Sequence, residues 1–194
     1  MARLLPSLTS ALLLLSGAAS AADPQPAKPA GPAAGQARWP GYELRLGVFA
    51  HDPWSPEKGG VDINAEGLTP RLFALGNPNF EPLVPRLHAG TTLNTADKTS
   101  SLYAGFTWTL DLGEKFFVEG SLGGAVHNGK ADSAFYPDRS ALGCSPLFRE
   151  AASIGYRITP ALSVMATVEH LSNGGLCSHN RGLTNAGVRL GYSF

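Results

Sequence analysis

Eight stretches of alternating apolar and polar residues follow Pro40, and a period of two suits little except a sheet, because successive side chains on a strand point to opposite faces. Tyr42–Ala50 puts Tyr42, Leu44, Leu46 and Val48 on one face and Glu43, Arg45 and Gly47 on the other. Val61–Gly67 alternates Val61, Ile63 and Ala65 with Asp62, Asn64 and Glu66, and Arg86–Asn94 alternates Leu87, Ala89, Thr91 and Leu93 with Arg86, His88, Thr92 and Asn94. Leu102–Leu112 sets Leu102, Ala104, Phe106, Trp108 and Leu110 against Tyr103, Thr107, Thr109 and Asp111. Phe116–His127 sets Phe116, Val118, Leu122 and Val126 against Glu119, Ser121 and His127. Leu147–Ile158, Leu162–Asn173 and Leu183–Phe194 complete the set. Runs of about 8–12 residues have the length of tilted membrane-crossing strands. The reading is all-β, an eight-stranded antiparallel transmembrane β-barrel.

Parity alone does not say which face is inside. An apolar interior would make a soluble, exported lipid-binding barrel; an apolar exterior makes a membrane barrel. Three features favour the second. Residues 1–22 read as a secretory signal peptide, with Arg3, the apolar stretch Leu4 to Leu15 and the small residues Ala19-Ser20-Ala21. The strand count is even, with short and long connections alternating later in the chain. Phe194 ends the last strand and resembles the assembly signal of bacterial outer-membrane barrels. Residues 23–40 carry Pro24, Pro26, Pro29, Pro32 and Pro40 without an apolar period and read as a tether, leaving 41–194 as one barrel domain. No later segment holds the roughly 18 consecutive apolar residues of a membrane helix. The connection 69–85, with four prolines, is longer than the architecture expects.

With the apolar face outside, Glu43, Arg45, Asp62, Glu66, Arg86, Glu119, Arg149, Arg157, Glu169 and Arg189 fill the lumen as a mixed-charge plug, since buried charges must find partners. Fifteen Lys and Arg balance fifteen Asp and Glu with no basic run, which excludes a nucleic-acid partner. His51, His88, His127 and His179 lack zinc-ligand spacing, so neither metal nor cofactor is expected. Cys144 and Cys177 fall in loops at the same end of the barrel, after the fifth and seventh strands. A disulfide between those loops is expected, two free thiols being the alternative.

The seventh run holds the residues with chemistry. His170 and Ser172 continue its lipid-facing stripe, about 6.5 Å apart along the strand and on one face, within reach of each other. Together they match the nucleophile-plus-base unit of serine hydrolases, placed at the membrane interface where lipid esters lie, although H-x-S by itself is a weak motif. The bland alternative is an interfacial His beside an ordinary Ser. The segment Glu169-His170-Leu171-Ser172-Asn173-Gly174-Gly175, followed by the closing run Gly187 to Phe194, resembles the end of the PagL-type lipid A 3-O-deacylases, a family of eight-stranded outer-membrane barrels. That resemblance implies His170 as base, Ser172 as nucleophile and Asn173 as an oxyanion contributor, with lipid A of the outer leaflet as substrate and the outer membrane as location. The family's triad acid is a Glu fourteen residues after its His, where this chain has Thr184.

Thr184 supplies no carboxylate, although it is able to hydrogen-bond locally. Parity offers a substitute. A tight turn at Thr159-Pro160 that pairs Ile158 with Leu162 sets Glu150 across from His170 on the lipid-facing side. Glu169, adjacent in sequence, goes to the opposite face. The expected mechanism is acyl transfer to water through His170, Ser172 and Glu150, with Asn173 or the Gly174 and Gly175 amides stabilising the oxyanion. A second outer-leaflet lipid esterase or acyltransferase, a non-enzymatic structural or adhesive barrel, and the soluble binding barrel stand as alternatives. The sequence leaves open whether the barrel forms a homodimer.

Overall fold

The structure, a computed structural model, describes residues 41–132 and 136–194. The expected signal peptide and tether lie outside the described residues. Eight strands follow one another: β1 Glu43–His51, β2 Gly60–Arg71, β3 Arg86–Asn94, β4 Ser101–Leu112, β5 Phe116–His127, β6 Leu147–Arg157, β7 Leu162–Ser172 and β8 Leu183–Ser193. Each pairs antiparallel with the next, and β8 closes on β1 from Glu43 opposite Ser193 to Ala50 opposite Ala186. Closure leaves no strand edge unpaired, the condition for a sheet to stand in hydrocarbon.

The apolar face is outside. Along β1, Leu44, Leu46 and Val48 are 59%, 67% and 51% exposed, whereas Glu43 and Arg45 between them are 6% and 2% exposed. The same alternation runs round the barrel through Ile63, Leu102, Leu122, Ile154, Val168 and Val188. An exposed apolar belt of this extent is unfavourable in water and favourable in lipid, which settles the soluble alternative against an apolar interior.

The lumen is packed with charge in pairs. Arg45 meets Glu43 at 2.8 Å, Glu119 at 2.7 Å and Glu66 at 3.3 Å, and Arg86 meets Glu43 at 2.6 Å. Arg149 and Arg189 both reach Glu66 and Glu169, the shortest contact being 2.7 Å from Arg149 to Glu169. The Tyr103 ring stacks under the Arg149 guanidinium at 3.7 Å. Arg157 is the exception, half-buried at the short-turn end and paired with Asp111 at 2.6 Å. Nearer the long-loop end, Tyr103, Ala125, Leu142, Leu147, Leu171 and Leu183 form an apolar cluster. A barrel this narrow is filled by such a plug.

β2 runs past its expected end at Gly67 to Arg71, with a register shift between Leu68 and Arg71. Pro70 lies within that shift, where its missing N–H costs no ladder bond. The long 69–85 connection folds back under the barrel. Arg71 donates to the carbonyls of Glu81, Val84 and Thr109 at 2.7 to 3.0 Å, and the Glu81 carboxylate accepts the amides of Leu75 and Gly76, both at 3.0 Å. Its prolines therefore stiffen a tied cap, with one turn of 3-10 helix at Glu81–Leu83 whose last carbonyl accepts from the Trp108 indole.

Candidate active site

Ser172 is the last residue of β7, and both of its neighbouring strands are in fixed register there. On the β6 side Glu150 stands opposite His170 and Phe148 opposite Ser172. On the β8 side Thr184 stands opposite His170, and one pair further on Leu171 faces Leu183. Continuing that register brings Gly182 level with Ser172. His170 thus has a carboxylate-bearing residue on one flank and a hydroxyl-bearing residue on the other, all on the outward face.

The hydroxyl holds the imidazole: His170 Nδ1 lies 2.7 Å from Thr184 Oγ1. With Nδ1–H donating to that oxygen, the lone pair sits on Nε2, the nitrogen a general base uses. The ring's Cε1 and Nε2 edge lies over Gly182, where an added Cβ would come within 2.7 and 3.0 Å of those atoms. Gly182 therefore leaves room for the imidazole on the row of Ser172. Among the described residues, neither the Ser172 hydroxyl nor the Glu150 carboxylate has a hydrogen-bond partner, and no contact within 4.0 Å joins Glu150 to His170. Glu150 is exposed. Directly opposed side chains have Cβ atoms about 4.5–5.5 Å apart, so a rotamer of Glu150 reaches the ring.

The predicted oxyanion donors are distributed differently. Asn173 has the inward parity of Leu171 and is 2% exposed. Its Nδ2 donates to the carbonyls of Leu142, at 2.9 Å, and His179, and its Oδ1 accepts the Gly175 amide at 2.9 Å. Asn173 is therefore a clamp on the loop after β7, and the Gly175 N–H is spent on it. The Asn173 side-chain amide and the Gly175 N–H are thus engaged by protein partners in this structure. The Gly174 N–H is the uncommitted donor among the three, on a residue with φ +61° whose neighbour is the Phe148 ring. Cys144 and Cys177 are joined as a disulfide that ties this loop to the β5–β6 loop.

Among the other histidines, His51 bonds Asp62 at 2.9 Å, His88 bonds Thr107 at 2.9 Å, and His127 bonds the Cys144 carbonyl at 2.9 Å. No group of metal-ligating side chains occurs among the described residues.

Sequence reasoning missed a polar cluster at the long-loop end. The buried Glu57 carboxylate accepts the Thr99 amide at 2.7 Å, the Thr99 hydroxyl at 2.6 Å and the Ser140 amide at 2.8 Å, with Arg139 at 3.4 Å. Burial works to raise its pKa, but the His51 imidazole 3.6 Å away and hydrogen bonds from Thr99 and Ser140 outweigh it and hold the value at about 2. Asp52, beside it, accepts the Thr184 amide at 3.0 Å. No sequence motif announces either residue, although both sit just beyond the end of β1, where loop carboxylates cap open strand ends.

A family profile described as lipid A 3-O-deacylase (PagL) matches residues 37–193. The chain belongs to the PagL family. Among solved structures it is similar to the crystal structure of the outer membrane enzyme PagL, with 18% identity over 78% of this chain and 99% of that one and a TM-score of 0.59. It is also similar to a de novo designed transmembrane β-barrel, with 13% identity over 81% of this chain and 98% of that one and a TM-score of 0.51. Those two likenesses speak to the fold. No curated protein sequence matches the chain. Family membership together with the closed barrel and its apolar belt places the protein in the outer membrane.

Proposed function

We propose that this protein removes the ester-linked acyl chain from the 3 position of lipid A, with Ser172 as nucleophile, His170 as general base and Glu150 as the acid. The observation that carries the reading is the placement of His170. Its Nδ1 is fixed by Thr184, and its Nε2 edge stands over Gly182 on the row of an uncommitted Ser172, at the outer end of a lipid-facing stripe. Family membership supplies the substrate class.

Nε2 takes the Ser172 proton as Oγ attacks the ester carbonyl. The resulting oxyanion lies within reach of the Gly174 N–H, and collapse expels the sugar hydroxyl, which leaves with the proton from His170. Water then attacks the acyl-serine with His170 again as base, releasing the fatty acid. Glu150, exposed and directly across the β6–β7 pair, turns toward the imidazolium as a counter-charge while Thr184 holds Nδ1.

Purified protein incubated with lipopolysaccharide in detergent micelles should release fatty acid, and Ser172→Ala should not. Equal release by both removes Ser172 as nucleophile. No release by either turns the reading to the non-enzymatic barrel.

A further inference from the structure

Thr184 fixes the His170 ring but carries no charge to balance an imidazolium, and Glu150 is exposed and makes no hydrogen bond or ion pair with the ring among the described residues. The buried carboxylate nearest this pair in the bonded network belongs to Asp52. Pairing of β1 with β8 ends at Ala50 opposite Ala186, and the same register carried on sets Asp52 level with Thr184. At Asp52 the backbone enters the left-handed region, with φ +39°, and leaves the ladder. The Thr184 N–H, which faces β1, then has no strand carbonyl to meet. Asp52 Oδ1 takes its place at 3.0 Å, while the Asp52 N–H donates to Asn185 Oδ1 at 3.1 Å.

The other oxygen, Oδ2, accepts the hydroxyls of Ser140, at 3.1 Å, and Ser55. Asp52 is 3% exposed and has no Lys, Arg or His ion pair among the described residues. Neutral donors satisfy a buried carboxylate without a neutralising cation, and a buried charge is screened less than an exposed one. Thr184 joins it to the imidazole: amide to Asp52, hydroxyl to His170 Nδ1.

We propose that Asp52 is a positioning residue that acts through Thr184, fixing the threonine against His170 and supplying the stationary negative charge behind the base. The inference rests on the reading of Ser172 and His170 as nucleophile and base. Glu150 stands opposite His170 from β6, and Arg181 precedes Gly182 on the loop leading into β8. Glu169 points into the lumen to Arg149, and His51 is occupied by Asp62 and Glu57. Asp52 thus stands on the β8 side, as Glu150 stands on the β6 side. An aspartate capping an open ladder is by itself a structural device, so the test needs readouts that capping does not move.

The full barrel in lipopolysaccharide micelles, checked for folding by heat-modifiable gel migration, is assayed as wild type, Asp52→Asn, Thr184→Val, Thr184→Glu and the Asp52→Asn/Thr184→Glu double variant. Asp52→Asn keeps an acceptor for the Thr184 amide and removes the charge. Its kcat should fall about tenfold with KM unchanged, and the acid limb of the kcat/KM profile should move about one pH unit lower, because the imidazolium loses its stabilising neighbour. Thr184→Val keeps the amide bond to Asp52, cuts the link to His170 and should lower kcat in the same direction. In Thr184→Glu the carboxylate is local, and adding Asp52→Asn should change kcat and the limb by much less than it does in the wild type. The proposal is overturned by a wild-type kcat and pH limb in Asp52→Asn, by a kcat loss with the limb unmoved, by wild-type kcat in Thr184→Val, or by an undiminished Asp52→Asn effect in the Thr184→Glu background. Ser172→Ala retaining activity would instead overturn the underlying reading.

Discussion

Replacing Gly182 with alanine puts the geometry beside His170 to a direct test. The new Cβ would lie 2.7 Å from His170 Cε1, 3.0 Å from Nε2 and 3.2 Å from the Leu171 carbonyl oxygen. Non-bonded carbons settle at about 3.5–4.0 Å, so the ring has to retreat by about 1 Å. Its Nδ1 is tethered to Thr184, and the retreat therefore swings Nε2 away from the Ser172 row. A misplacement of that size costs about 10²-fold in turnover. The backbone contributes separately, because Gly182 has φ +71° and a side chain in the left-handed region costs about 1–2 kcal/mol. Gly113 separates the two effects. It lies in the β4–β5 turn at the opposite end, with φ +80° and nothing within 4 Å of an added Cβ. Gly113→Ala should lose comparable stability in urea unfolding and keep its fatty-acid release, whereas Gly182→Ala should lose release. Wild-type release by Gly182→Ala, or an equal loss in Gly113→Ala, would refute the placement of the imidazole.

Two further outcomes follow from the barrel's charges. Glu66 faces Arg45, Arg149 and Arg189 at 3.3 to 3.6 Å, and Glu66→Gln leaves three buried guanidinium groups short of a counter-charge; unfolding in urea should show a loss of about 3–5 kcal/mol. Glu57 has its pKa depressed from 4.5 to about 2 in the folded protein, so the stability it contributes is present above about pH 4.5 and is lost as pH falls toward 2. Proteolysis of the 52–59 loop should therefore accelerate between about pH 4.5 and pH 2 in the wild type, and Glu57→Gln should flatten that dependence.

Parity carried most of the architecture. A single slip would have moved every charge of β1 onto the lipid face, so the assignment of Glu43 and Arg45 to the lumen was over-determined by the residues between them. The Glu150 and His170 pairing was equally legible, because the short turn at Thr159-Pro160 fixes the β6–β7 register, and Ile158 N–H does bond the Leu162 carbonyl at 2.9 Å. Asn173 follows the same rule. As the neighbour of an outward Ser172 it had to point inward, and loop carbonyls claim its amide there. Thr184 was visible as a missing carboxylate, but its bond to Nδ1 depends on rotamers that spacing does not encode. Asp52 was not legible, since its role arises where β1 leaves the ladder with β8, a contact between the two ends of the chain's strand order. The 72–85 cap was hidden for a related reason: its ties run through Arg71 and Glu81 to backbone atoms rather than through any alternating pattern.

The outward placement of His170 and Ser172 has a consequence, under the proposed function, for how substrate arrives. A site walled off from the lumen by a charged plug and standing on the outer surface of the barrel is fed only sideways, by lipids drifting within the leaflet. Encounter then scales with the mole fraction of substrate in that leaflet and not with any bulk concentration. Neighbouring lipids that fit the same stretch of wall act as competitors at a packing density set by the membrane, so fluidity and leaflet composition become kinetic variables for this protein.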